Sequence, residues 1–380
     1  MNIQRAAHVR GTIMRATSDI KTLTLTGTPR ERGQMHGTAL KHVILRAIDA
    51  WKEDLRQYSG KDPNESIVQF MTDTDLVAAT EKWAPQLLEE VKGIGDGAGV
   101  DFDTIFMYQC TDEEWWFGAH SLFKRALQCS GLGCYREGKT PALLAQNMDT
   151  PSFYDDFKVL LRVKNEESSV ESFVFSVAGL IGLNGLNNQP LGICCNTLLE
   201  LNYAPKGLPV AFIVRSVLEQ PTLEKAIRFI RRIKHASGQN YIMADSEKVV
   251  DFECSANKVC QYTPYKGARR VYHTNHTITN SDLASWSEEE RTRMAKEPKG
   301  TSRARFDVLE KELKDPSRTV NVKTIKSILA SHEGPVCTHN THKPKGSCTL
   351  GTLIMSMSNP PEVHLAPGPP CSTEFRTYKF

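Results

Sequence analysis

From residue 141 onward the chain keeps returning to short apolar runs that do not alternate with polar residues. They are PALLAQNM, FKVLLRV, SFVFSVAGL, LGICCNTL, NYIMADS and KVVDFECS, then LGTLIMSMS and EVHLA on either side of an Asn-Pro-Pro turn. A strand with one wet face alternates, whereas a strand apolar on both faces has to be covered twice. These runs suit strands and are short for helices. They call for sheets held between other layers, an α/β (α+β) layered architecture.

The covering layers are legible upstream and between the strands. Leu40, Val43, Ile44, Ala47, Ile48, Trp51 and Leu55 recur at three- and four-residue steps and predict a helix over 40–55. Leu76, Trp83, Leu87, Val91 and Ile94 predict a second helix over 75–94, which the glycines of GIGDGAG then break. A third apolar segment runs from Ile105 to Trp116, and helices are expected again at 209–219, 222–235 and 303–314. The polar segment 281–302 reads as a surface excursion. No repeat and no long linker interrupts the chain, so one domain over 1–380 is expected.

Charge excludes two broad classes of partner. The 47 basic and 44 acidic residues leave +3, too little for a nucleic-acid or membrane footprint. The basic run Arg228, Arg231, Arg232 and Lys234 reads as a solvated helix face. The opening MNIQRAAHVRGTIMRA lacks the apolar stretch of a signal peptide, no 18-residue apolar run exists, and the ending TYKF is not a peroxisomal address. A cytoplasmic protein is expected. The ten cysteines then read as free thiols in a reducing compartment, with Cys194 and Cys195 as core residues.

Several chemistries are missing. GIGDGAG follows a helix rather than a strand, so it fails as a dinucleotide loop, and neither HExxH nor GxSxG occurs. Cys337, His339, His342 and Cys348 have the ligand types of a zinc site, but the spacing C-x-H-x2-H-x5-C matches no standard zinc module. No cofactor and no metal are expected. What remains is QCSGLGCYREGKTPALLAQNMD, two cysteines five apart ahead of an apolar strand.

Seven motifs in order along the chain carry a resemblance. They are GTPRERGQMHG (27–37), LLEEVKGIGDGAGVDFDTIFMYQCTDEE (87–114), CS followed by QNMD (129–130 and 146–149), AGLIGLNGLN (178–187), DFECSAN (251–257), VYHTNH (271–276) and the tail GPPCSTEFRTYKF. Together they resemble the isopenicillin N acyltransferase-like family, which includes acyl-coenzyme A:6-aminopenicillanic acid acyltransferase and Tan hydrolase and is the cysteine branch of the N-terminal-nucleophile (Ntn) hydrolases. The resemblance implies a four-layer αββα sandwich. It also implies a precursor that cuts its own chain before a cysteine, here into 1–128 and 129–380. The new N-terminal thiol would attack an acyl carbonyl, and its own α-amine, with an unperturbed pKa near 8, would serve as base.

By that resemblance the nucleophile is Cys129, with the cut between Gln128 and Cys129. The rival is Cys134, because relatives usually carry Gly before the nucleophile, as Gly133 stands here. Asn275 would stabilise the oxyanion, Asp149 would orient the α-amine or brace its loop, and Ser255 would hydrogen-bond within the site. Glu253 and Glu113 would be buried supports, and His36 structural. In isopenicillin N acyltransferase Arg follows the cysteine matching Cys337, and a second Arg lies a few residues before the next strand. Here Thr338 and, approximately, Gly346 hold those places, which implies a substrate other than a penicillin. The expected activity is amide hydrolysis or N-acyl transfer on a small amide or thioester, an acyl-coenzyme A included, with water or an amine as acceptor. The alternative is an uncleaved or zinc-stabilised member acting as a binding module.

Overall fold

The computed structural model describes residues 20–117, 129–166, 168–296, 302–339 and 346–380. Gln128, His342 and the opening residues 1–16 lie outside that set, so the expectations placed on them are not addressed by it.

In chain order the elements are β1 (Lys21–Leu25), α1 (Pro29–Ala39), α2 (Lys41–Ser59), α3 (Pro63–Asp73), α4 (Leu76–Trp83), α5 (Pro85–Ala98), α6 (Phe102–Gln109) and the single turn α7 (Glu114–Phe117). The β-rich part follows with β2 (Ser130–Cys134), β3 (Leu143–Pro151), β4 (Lys158–Lys164), β5 (Glu171–Val177), β6 (Asn184–Asn187) and β7 (Gly192–Thr197). After α8 (Val210–Leu218) and α9 (Leu223–Arg232) come β8 (Gln239–Ala244), β9 (Val249–Cys254), β10 (Val259–Tyr262) and β11 (Arg270–His273). The chain ends with α10 (Ser287–Lys296), α11 (Ser302–Leu313), α12 (Val322–Leu329), β12 (Ser347–Ser356), β13 (Glu362–Ala366) and β14 (Arg376–Lys379).

Two sheets stack face to face. One runs β1-β4-β5-β6-β7-β8-β9-β10 and the other β11-β2-β3-β12-β13-β14. Pairing is antiparallel throughout except where β1 lies parallel to β4. Strands β2 and β3 pack across β7 and β8, so the sheets meet at their middles. Helix α8 covers β6 and β7 from outside, while α11 and α12 cover β2, β3, β11 and β12. The order is helix, sheet, sheet, helix, the αββα arrangement expected. The sheets come so close at β2 that a side chain there would collide: a Cβ on Gly131 would lie 2.9 Å from Ile242 Cδ1, and one on Gly133 2.4 Å from Val249 Cγ1. That explains the GLG after Cys129 and Ser130. Leu132 and Cys134 point the other way, into the apolar layer with Val308, Leu309 and Ile325.

Three expectations need correction. The helix over 75–94 is two helices, because Pro85 has no N–H to continue α4 and instead starts α5. The glycines of GIGDGAG do not break the helix; α5 runs through them to Ala98, and Gly99 at φ 73° ends it. Gly93 and Gly97 meet Gly33 and Gly37 of α1 at a close backbone crossing: a Cβ on Gly33 would lie 2.0 Å from Glu90 O and one on Gly93 2.2 Å from Arg30 O. The segment 281–302 is not merely a surface excursion, because Ser302 is buried and opens α11.

A buried charge cluster fastens α1, α5 and α8. Glu90 accepts from Arg215 through Nη1 at 2.7 Å and Nη2 at 3.1 Å, and from Arg32 Nε at 3.2 Å. All three side chains are about 1% exposed. His36 is structural, as expected: burial holds its pKa down at about 4, and its Nε2 accepts from the Gly179 N–H at 3.1 Å.

Candidate active site

Cys129 immediately precedes β2 and opens into a pocket between the helical layer and the sheets, lined among others by Asp112, Glu114, Met148, Asp149, Cys195 and Thr197. Its thiol is buried, 3.6 Å from Met148 Sδ and 3.7 Å from the Asp149 carbonyl oxygen. Burial, with Asp149 adding to it, pushes the thiol up to about 12, so it stays protonated at neutral pH. Cys134, the rival nucleophile, is at the far end of β2. Its side chain faces the α11 and α12 layer, and its segment is paired on both sides, with Gly133 and Cys134 opposite Val271 and Arg270 of β11 and Leu144 and Leu143 of β3.

The QNMD of β3 divides its work between the two faces of the sheet. Gln146 reaches across to the other sheet, donating to the Cys195 carbonyl and, at 2.9 Å, to Asn196 Oδ1, while its Oε1 accepts from Asn184 at 2.8 Å. Asn147 donates to the carbonyls of Leu329 and Val336, both at 2.8 Å, fixing the chain that leaves α12. Met148 touches the thiol. Asp149, 2% exposed, lines the pocket. Burial pushes its pKa up to about 7, opposed by Thr349, Arg305 and Thr338 beside it.

Asn275 is linked to Cys129 through Arg305. Its Nδ2 donates to the Thr197 carbonyl at 3.1 Å and its Oδ1 accepts from Arg305 Nη2 at 3.0 Å. Arg305, on the first turn of α11, is fully buried and also donates to the Cys129 carbonyl and to Ser130 Oγ at 3.1 Å. One guanidinium thus holds the candidate nucleophile and the candidate oxyanion donor together, a bidentate task suited to its planar fork. Burial pulls its pKa down to about 10, which leaves it charged at neutral pH. Ser302 holds the loop from below, accepting from the Asn275 N–H at 2.6 Å.

Glu253 supports that loop. It accepts from the backbone N–H of Ile278 at 2.6 Å and Thr279 at 2.9 Å and pairs with His273 Nε2 at 2.9 Å. His273 and the backbone N–H groups of Asn280 and Ile278 outweigh desolvation and hold its carboxyl down at about 2, while Glu253 in turn raises His273. Glu113 accepts from the Val210 N–H at 2.9 Å and Ser237 Oγ at 2.6 Å, capping the start of α8. Burial pushes it up to about 7. Ser255 is not brought to the pocket. It sits in the β9–β10 turn, donating to Asp282 at 2.6 Å and accepting from the Lys258 N–H at 3.0 Å, and the short turn keeps it there.

Sequence reasoning missed Arg305, Asp112 and Glu114. Asp112 accepts from Thr197 Oγ1 at 2.7 Å and Gln239 Nε2 at 2.9 Å, and Glu114 from Trp51 Nε1 at 2.9 Å. Burial raises both, Glu114 to about 8. The signal was the DEE run inside a segment otherwise apolar from Ile105 to Trp116: three acids that cannot all face water.

The pattern of the family described as acyl-coenzyme A:6-aminopenicillanic acid acyl-transferase matches residues 135–364, more than half of the chain. The chain belongs to that family. It is 27% identical over 261 residues to the 40 kDa form of acyl-coenzyme A:6-aminopenicillanic-acid-acyltransferase from Emericella nidulans, covering 68% of this chain and 70% of the relative. Among solved structures it is similar to a Caenorhabditis elegans N-acylethanolamine-hydrolyzing acid amidase ortholog, at TM-score 0.43 and 14% identity over 66% of this chain and 100% of the other. It is also similar to a conjugated bile acid hydrolase variant from Clostridium perfringens, at TM-score 0.42 and 13% identity over 66% and 97%. No helix among the described residues is long and apolar enough to cross a membrane.

Proposed function

We propose that this member of the acyl-transferase family is a self-processing cysteine amidohydrolase or N-acyltransferase, cut between Gln128 and Cys129. The observation that carries the reading is the shared anchoring of Cys129 and Asn275 by the buried Arg305 beside an apolar pocket. In the uncut chain burial keeps the thiol neutral, and its hydrogen-bond contacts among the described residues are Met148 Sδ and the Asp149 carbonyl oxygen. Cutting supplies a base: the α-amine of Cys129, which titrates near pH 8 when unperturbed. Asp149, buried and lining the same pocket as Cys129, is the carboxyl group that such an amine would meet.

In the reaction the α-amine takes the thiol proton as sulfur attacks the acyl carbonyl. The oxyanion accepts one N–H of the Asn275 amide, whose other N–H is held by Thr197. Collapse breaks the C–N bond, or the C–S bond of a thioester donor. The leaving group takes the proton from the α-ammonium, and a thioester acyl-enzyme remains. Water or an amine then attacks that thioester and restores the thiol. The apolar lining, with Leu180, Leu183, Val210 and Val214, suits the acyl chain of a small donor. Ser255 has no part in this scheme.

Intact-mass analysis of the purified chain, beside a Cys129→Ala control, tests it. The expected result is two fragments, 1–128 and 129–380, replaced by one full-length species in the control. An uncut chain in both sinks the proposal, and a cut five residues later moves the nucleophile to Cys134.

A further inference from the structure

The Cys and His residues between α12 and β12 failed as a metal centre on spacing, but the fold adds a partner that spacing could not supply. We propose that His332, Cys337, His339 and Cys371 form a zinc site of two thiolates and two imidazoles, tying the C-terminal segment to the loop after α12. One donor atom from each of the four lies within 4.8 Å of all the others. Cys337 Sγ is 3.7 Å from Cys371 Sγ and 3.5 Å from His339 Nε2. Zinc held tetrahedrally at about 2.3 Å from sulfur and about 2.0–2.1 Å from nitrogen sets S···S edges near 3.8 Å and S···N edges near 3.5 Å. Two edges of that tetrahedron are therefore in place. The third, His339 Nε2 to Cys371 Sγ, stands at 2.8 Å and opens to about 3.5 Å on the ion. The His332 and His339 rings lie edge to face, 5.2 Å apart between centroids.

Burial divides the four into an anchor and three arms. Cys337 is buried, and its N–H donates to the Ser331 carbonyl at 2.9 Å, which closes the loop. His332, His339 and Cys371 are exposed and can turn onto an ion. With four protein donors no position is left for water or substrate, so the site is structural rather than catalytic. Binding exchanges two thiol protons for one zinc ion, so it weakens as pH falls. The loop so braced carries Thr338, which exchanges two hydrogen bonds with Thr349, the residue of β12 opposite Asp149. Cys348 is not in this set, and His342 lies outside the described residues. The inference does not depend on the proposed activity.

Cobalt titration of the reduced, untagged, EDTA-treated full-length chain tests it. The expected result is one cobalt per chain, with the visible bands of a tetrahedral ion and a near-ultraviolet sulfur-to-cobalt band, both erased by one equivalent of zinc. Cys371→Ser and His339→Ala, changes at exposed positions, should each weaken zinc binding by at least roughly 100-fold without altering the far-ultraviolet circular dichroism. Cys260→Ser should leave it unchanged. The proposal falls if no cobalt binds at micromolar concentration. It falls equally if Cys260→Ser costs as much as His339→Ala, or if the chain is isolated with a Cys337–Cys371 disulfide.

Discussion

Arg305 touches the Cys129 carbonyl, Ser130 and Asn275 from a position where water cannot substitute. A lysine keeps the charge but loses the fork. Arg305→Lys should therefore slow the appearance of fragments 1–128 and 129–380 by at least about 10-fold, some 1.4 kcal/mol, in a chain that remains folded. An unchanged cleavage rate would remove Arg305 from the site. Nothing local marked it: it is one of 47 basic residues, on a helix whose neighbours Arg303 and Lys311 face outward. Cys129, Asn275 and Asp149 came from motif order; Cys129 and Asp149 line one pocket, and Arg305 ties Asn275 to Cys129. Ser255 came the same way and lies elsewhere, because a motif orders residues along the chain and not in space. Glu113 permits a test of pH. Its pKa rises from an ordinary carboxylate value to about 7 on folding, so the folded state binds the extra proton. Stability from this group is thus full at acid pH and is lost as pH rises from about 4 to about 7. Glu113→Gln keeps the acceptor for Val210 and Ser237 and removes the ionisation. Relative to the variant, the Cys129→Ala parent should lose about 3 kcal/mol of unfolding free energy across that window, measured by denaturant titration at several pH values.

At the scale of elements, strands were easier to read than helix ends. The two-sided apolar runs became β3, β4, β5, β7, β8, β9, β12 and β13 because burial on both faces leaves an unambiguous pattern. The short strands β1, β6 and β10 carry polar or glycine residues and gave no such signal. GIGDGAG misled because glycine has two opposite uses. It breaks a helix by freedom, or it admits another helix by having no side chain. Only the partner glycines of α1, sixty residues upstream in GTPRERGQMHG, distinguish the two. Gly93→Ala weighs them directly. Helix propensity favours alanine by about 1 kcal/mol. The added Cβ, 2.2 Å from the Arg30 carbonyl oxygen, faces backbone that cannot turn aside. Overpacking should win, with a net loss of about 2–4 kcal/mol in chemical denaturation. A stabilised variant would show that the crossing has slack.

For the molecule as a whole, the proposed cut would not separate the halves. The upstream fragment contributes β1 to the edge of a sheet whose other strands are downstream, and Glu90 and Arg32 upstream enclose Arg215 downstream. The cut protein should therefore elute at the size of the uncut Cys129→Ala chain and resolve into two bands only in denaturant. Elution as two species under native conditions would contradict that. The layered plan was legible in the sequence because it follows from burial. The contacts that join the halves were not, because they link residues more than a hundred positions apart. The place of β2 in its sheet has a last consequence. Chain ends ordinarily fray, because a terminus has a neighbour on at most one side. A chain beginning at Cys129 would enter at once a strand flanked by β11 and β3, so its second to sixth residues would be among the best-shielded backbone of the protein. The amides of Leu132 to Cys134 should exchange with deuterium only on global unfolding, giving a terminus as immobile as a buried loop and as ionisable as a free amine.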